Sequence, residues 1–340
     1  MPVIGRSRFL WLVIGLLVGS LLLAFYGFRA ISAGGVVART ASPHASPSRD
    51  GWFQLRPVGS WRSLPGDRRC TSRVHRSTWE PRSLNAWPNH HTPRPAAVHA
   101  SFRSRPVAVD GSYDPRWDSW LLQRVSGHHT GTTDENIQWA ACKWGLPDNL
   151  LRAIAVREST WFQAATYASG RCVPNYGCGD LRTTQPPGSA TFCAAISRYG
   201  HDYQAEHAPA TGLCPRTFGI VGVMSWQDPS WGRMPDNQNG TFPFNRDSTA
   251  FALDYLGSQL RGCYEGWERW LGNTGARRYS PGDLWGCVGA WYAGEWHSPA
   301  AGGYIARVRR ELADRTWLTR AFARQRPPCS PQLGCARADH

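Results

Sequence analysis

Lysine is all but missing from this chain. Lys143 is the only lysine among 38 basic residues, and so lopsided a choice of arginine reflects coding composition as readily as guanidinium chemistry, so the excess names no partner by itself. No Cys-x-x-Cys pair occurs among the ten cysteines, which argues for disulfides over zinc and for an oxidising compartment. The pairs His90-His91 and His128-His129 lack metal-ligand spacing with Cys or acids, and surface loops explain them more economically. Neither a metal nor a cofactor is expected. There is also no strand-rich block, no internal repeat and no RNP, KH or zinc-finger signature, which removes the usual nucleic-acid readers.

What is present is enough apolar material for a core. The 340 residues are 41% hydrophobic, room for one or two domains, and 18 tryptophans supply wide faces for packing or for stacking on sugars. The net charge of +14 implies attraction to something anionic, but it is unevenly spread. Residues 29–115 hold 13 Arg against 5 acids, whereas residues 116–340 hold 23 basic against 19 acidic residues. A basic stalk on a nearly neutral body suits an acidic wall polymer or anionic lipid heads as well as DNA.

Arg6 and Arg8 precede an uncharged apolar run over residues 9–28, long enough to cross a bilayer as a helix. A cleaved signal usually has a shorter apolar stretch, so residues 1–29 are expected to form a cytoplasmic tip and transmembrane anchor. The small residues at 30–38 leave cleavage, and hence secretion, as the alternative. Everything after residue 29 is then placed outside the cytoplasm by the positive-inside tendency. Residues 30–50, with Gly34-Gly35 and Ala-Ser-Pro repeats, read as a flexible tether. Residues 51–115 are rich in Pro and Arg without helical periodicity, yet Trp52, Trp61, Trp79, Trp87 and Cys70 predict an ordered, extended arm wrapping the body. Nine of the ten cysteines lie beyond residue 116, so if all are oxidised Cys70 must link the arm to the body or to another chain. The intervals 172–178 and 329–335 could each close a small loop, and the connectivity stays open.

Residues 116–340 read as a mainly α body with disulfide-stapled loops. Ile137, Ala140, Ala141 and Trp144 recur at helical spacing behind Thr132-Thr133-Asp134-Glu135, and Gly145 with Pro147 ends that helix. A second helix is expected from an Asp148 or Asn149 cap to about Phe162, with others at 188–199, 247–261, 282–293, 301–313 and 315–324. On the second, Leu151, Ile154, Ala155, Glu158, Trp161 and Phe162 share one face, and Glu158 is the only charge in that stripe. A carboxyl set among such neighbours loses hydration of its charged form, titrates toward neutrality and can hold a proton for a leaving group. A Glu neutralised by a distant Arg is the plainer alternative.

The stretch Ala153-Ile154-Ala155-Val156-Arg157-Glu158-Ser159 resembles the Glu-Ser signature of the lytic transglycosylase and lysozyme-like superfamily, whose catalytic acid is a helix-borne Glu. Phe218-Gly219-Ile220-Val221-Gly222-Val223-Met224-Ser225 is similar to that family's Gly-Leu-Met-Gln cleft motif, residues 247–266 to its following long helix, and Ala290-Trp291-Tyr292-Ala293-Gly294 to its Ala-Tyr-Asn-Ala-Gly motif. The resemblance spans about residues 134–312 and implies a lysozyme-like domain that binds peptidoglycan glycan strands. It also implies that Ser159, Met224, Ser225, Trp291 and Tyr292 contact substrate. Ser225 stands at the family's Gln, and Trp291 and Tyr292 at its Tyr-Asn. The long interval after Glu158 holds Cys172, Cys178, Cys193 and Cys214 and is expected to form a pinned flap by the cleft.

In lytic transglycosylases one Glu protonates the glycosidic oxygen and then, as carboxylate, helps the muramic acid C6 hydroxyl attack. A hydrolase needs a second carboxylate. Asp180, in Gly177-Cys178-Gly179-Asp180, is the best candidate for it, ahead of Asp228 and Glu295, though a turn Asp beside Gly needs no function. Trp226 and Trp231 are further aromatic candidates, and core packing explains most tryptophans equally well. The expectation is a lytic transglycosylase acting on the MurNAc–GlcNAc bond through Glu158. A muramidase or a non-catalytic wall-binding protein are the alternatives, and a nucleic-acid partner is not expected.

Overall fold

The computed structural model describes residues 49–163, 165, 176–179, 182–183, 213–214, 216–225, 239–275 and 277–327. The anchor and most of the tether lie outside these residues, as do Asp180, Trp226, Asp228, Trp231 and the helix expected at 188–199. Among the described residues no helix is long and apolar enough to cross a membrane.

The described chain is mainly helical. In order it forms α1 (Asp67–Thr71), α2 (Ala86–His90), α3 (Pro95–Arg103), α4 (Leu122–Arg124), α5 (Thr133–Trp144), α6 (Asp148–Ser159), α7 (Phe244–Asp247), α8 (Thr249–Tyr264), α9 (Leu284–Ala293), α10 (Pro299–Asp314) and α11 (Arg320–Arg324). Short strands β1 (Cys178–Gly179), β4 (Thr217–Phe218) and β5 (Val223–Met224) make one antiparallel sheet in the order β1-β4-β5, and β2 (Arg182–Thr183) pairs with β3 (Leu213–Cys214).

Local chemistry sets the helix ends. Thr132 and Glu135 form a reciprocal capping box at the start of α5, and Gly145, at φ 62°, ends it. Ser248 accepts from Phe251 N to open α8, and Asp283 accepts from Gly286 N to open α9. α6 departs from expectation at both ends. Asp148 is its first residue rather than its cap, because its carboxylate is taken by Trp52 N and Phe53 N of the arm and by Arg152 Nη1 at 2.5 Å. The helix stops at Ser159 rather than near Phe162. Thr160 and Trp161 adopt φ of 54° and 69°, which turns the Trp161 indole inward, where Nε1 donates to Arg152 O at 3.1 Å.

α8 is buried along nearly its whole length and packs on α5 and α9, while α6 lies against α5 and α10. Gly257 of α8 permits this closeness, since a Cβ there would come within 2.3 Å of the Trp144 ring. Lys143 is fully buried between α5, α8 and the arm, with Nζ 2.7 Å from both Asp254 Oδ2 and Asp67 Oδ1. A low-dielectric pair this tight needs its remaining valences filled. Asp254 accordingly accepts from Trp144 Nε1, Ser126 N and Gly127 N.

The arm is ordered but not simply extended. It carries α1, α2 and α3, the last nucleated by Pro95 at its first turn, where a fixed φ suits a helix and no amide hydrogen is needed. A disulfide joins Cys70 to Cys142 of α5, and Trp61 packs edge-on against Trp120 and Trp267. A second disulfide, Cys263–Cys287, ties α8 to α9.

Candidate active site

Glu158 occupies the last turn of α6, half-buried, where the helix meets the β4–β5 turn. The junction is fastened on both sides. Ser159 Oγ donates to Ile220 O at 2.7 Å, and Ile220 N donates to Gln163 Oε1 at 2.9 Å. Gln163 Nε2 in turn donates to Asn245 O at 2.7 Å, so the turn is carried by the end of α6 and the start of α7 together. Gly222, at φ 64°, brings the turn against the carboxyl: a Cβ there would stand 3.1 Å from Glu158 Oε2. Glycine meets both demands at once, the left-handed backbone and the close approach.

From the other side α10 supplies Tyr304, whose Oη donates to Glu158 Oε1. The Tyr304 ring lies parallel to that of Tyr292 on α9, with centroids 4.6 Å apart and planes within 4°. Arg307, one turn further along α10, sits 5.6 Å from the Tyr292 ring centroid and 6.0 Å from that of Tyr304. Tyr304 is buried, whereas Tyr292 is 54% exposed and offers its outer face.

Burial pushes Glu158 up to about 7, against the pull of the Tyr304 hydrogen bond and of the Arg157 and Arg307 charges. Burial, together with the neighbouring Glu158 carboxylate, holds the Tyr304 phenol well above its ordinary value, so it stays a donor. Among the described residues Glu158 makes no ion pair, and Oε2 accepts no hydrogen bond. The arrangement is a carboxyl poised near neutrality with one oxygen held and the other free, able to give and retake a proton.

The expected substrate residues separate into two groups. Tyr292 presents an exposed ring beside the site, Trp291 is half-buried against the core, and Met224 on β5 is half-buried with its carbonyl taken by Asn239 Nδ2 and Thr241 Oγ1. Ser159 and Ser225 are corrected by the structure: both are buried and both hydroxyls are committed internally. Ser225, just after β5, accepts through Oγ from Asn245 Nδ2 of α7 at 2.8 Å and lies 3.3 Å from Thr241 Oγ1. These serines brace the turn through those bonds. Asp180 lies outside the described residues, and Glu295 is exposed just after α9.

Two other carboxyls titrate high through burial. Glu80 accepts from Thr133 N and Arg82 N, and Glu268, pushed up to about 8, sits beside Tyr255 and Tyr279. No group of three His, Cys, Asp or Glu that could hold a metal occurs among the described residues. Tyr304 and Arg307 were not among the residues singled out in the sequence, although a signal existed. Ala301, Tyr304, Ile305 and Val308 form the buried stripe of α10, and Tyr304 is its only polar tip. Compared with family models, curated proteins and solved structures, the chain finds no match.

Proposed function

We propose that the protein is a peptidoglycan-cleaving lytic transglycosylase of lysozyme-like fold, acting on the MurNAc–GlcNAc bond with Glu158 as acid and then base. The observation that carries this reading is the half-buried carboxyl raised to about 7 and gripped by the Tyr304 hydroxyl at the foot of an exposed tyrosine face. In the first step Glu158 gives its proton to the glycosidic oxygen, the bond from that oxygen to the muramic C1 breaks, and positive charge develops on the muramic ring. In the second step the Glu158 carboxylate takes the proton of the muramic C6 hydroxyl as its oxygen bonds to C1. The product is a 1,6-anhydro end, no water is consumed, and Glu158 is protonated again. Tyr304 fixes the carboxyl and steadies its anion between the steps, and the outer face of Tyr292 suits stacking of a sugar ring.

The apolar run at residues 9–28 would anchor the enzyme with its body outside the cytoplasm, and the two disulfides between Cys70 and Cys142 and between Cys263 and Cys287 support an oxidising location. Mass spectrometry of purified sacculi digested with the wild type and with Glu158→Gln tests the reading. Anhydro-muropeptides that vanish in the variant are expected. Reducing ends would convert the proposal to hydrolysis, and full activity of the variant would overturn it.

A further inference from the structure

A cavity of about 480 Å³ opens between the arm and the C-terminal end of α5, with Phe53, Leu55 and Ala141 on its apolar wall and Arg56, Arg69 and Arg73 supplying its charge. Its size falls within the range of about 300–1,000 Å³ usual for organic ligands and exceeds what a bare ion needs. No carboxylate lines it, and none of the three guanidinium groups makes an ion pair or hydrogen bond among the described residues.

Helix capping does not account for the three arginines. At the end of α5 Ala141 O accepts from Leu146 N, Cys142 O from Gly145 N, Lys143 O from Arg124 Nη2 and Gly145 O from Arg56 N, so none of these carbonyls is held by the three guanidiniums. The cavity walls are also held in place without a ligand. Trp52 N and Phe53 N donate to the Asp148 carboxylate at 3.0 Å, and the Cys70–Cys142 disulfide fixes the segment bearing Arg69 and Arg73 to α5. The arm therefore holds three exposed positive charges, without acidic partners among the described residues, around a cavity with an apolar wall, and together they attract an arriving anion.

We infer that this cavity is a binding site for a phosphodiester chain of the glycerol phosphate kind, with guanidinium forks on the phosphates and the organic links on the apolar wall. Three guanidiniums suit a polyanion better than a single carboxylate, and planar forks favour phosphate oxygens. Such a chain exists as a soluble polymer, and the same chemistry occurs on anionic lipid heads.

The site is independent of Glu158, so its test is a binding measurement. Calorimetric titration of the full chain with a soluble glycerol phosphate oligomer should show binding that weakens as salt is raised. The triple variant Arg56→Gln, Arg69→Gln, Arg73→Gln should bind at least about tenfold more weakly, with an unchanged melting temperature because all three side chains are exposed. Glu158→Gln should bind as wild type does. Binding confined to phosphatidylglycerol vesicles, and lost in the triple variant, would assign the phosphate to a lipid. Equal binding of polyglutamate, no binding of either phosphate probe, or binding indifferent to the triple substitution would each overturn the inference.

Discussion

Two carboxylates of this molecule sit against neighbouring helices, Asp254 fully buried and Glu158 half-buried, and they are treated in opposite ways. Asp254, in the middle of α8, receives Lys143 Nζ and Trp144 Nε1 at 2.7 Å and the amides of Ser126 and Gly127. Glu158, at the end of α6, receives a single phenol hydroxyl. The first carboxylate is met by four donors, and it ties together α5, α8 and the segment before α5. The second is left short of donors, so its proton affinity rises until it can change state near neutral pH. Burial alone does not make a carboxyl reactive; burial with too few donors does.

The comparison breaks most sharply under substitution. Activity should fall about 10³-fold in Glu158→Gln, the scale of a lost general acid, when product release is followed at pH 6. The fold should respond in the reverse sense. Because the folded-state value of Glu158 lies above that of an exposed glutamate, the native state binds the proton more tightly. This group therefore costs no stability below about pH 4 and costs progressively more as pH rises to about 7. Glu158→Gln should accordingly melt with the wild type at pH 4 and above it at pH 8, by up to about 3 kcal/mol. Equal melting at both values would show that the carboxyl is better solvated than its surroundings indicate.

Asp254→Ala should do the opposite, leaving a buried ammonium with Asp67 and the Ser126 hydroxyl as its partners and three donors unpaired. A loss of about 3–5 kcal/mol in denaturant unfolding is expected. A change below about 1 kcal/mol would mean that the pair is not a structural tie.

Gly222→Ala should cost less and do so at the site itself. A methyl group 3.1 Å from Glu158 Oε2, on a backbone at φ 64°, adds about 1 kcal/mol of strain and intrudes on the free oxygen. Turnover should fall by more than stability does, and an unchanged rate would remove the β4–β5 turn from the site.

The same contrast explains what the sequence made legible. Glu158 stands out because it is the one charge in an otherwise apolar stripe, a pattern that helical spacing makes visible. The groups that enclose it, Tyr304 of α10 and the β4–β5 turn, come from elsewhere in the chain. The helices of the body were legible for the same reason, from the capping box at Thr132 to the serine before α8. The partners were not. Tyr304 lies 146 residues away and the turn that seats Gly222 about 60, and no periodicity on α6 announces either. Ser225 misled because motif position stood in for orientation: it directly follows β5, and its hydroxyl is taken by Asn245. The arm was legible as ordered from its tryptophans, but not its helices α1 and α2, since five residues give periodicity no time to show.

The finest test concerns the one donor that Glu158 does have. Tyr304 stabilises the carboxylate form, pulling its titration down against the effect of burial. Tyr304→Phe keeps the ring, and with it the stack on Tyr292, but withdraws that hydrogen bond. The basic limb of the pH profile, set by loss of the Glu158 proton, should lie near pH 7 in the wild type and move upward in the variant, by about one unit if the bond is worth about 1–1.5 kcal/mol. The rate below the limb should drop modestly, because in the proposed reaction the anion formed between the two chemical steps loses its partner. A limb that moved downward would mean that the hydroxyl serves the protonated acid instead, making Tyr304 an acceptor and Glu158 the donor across the same short contact.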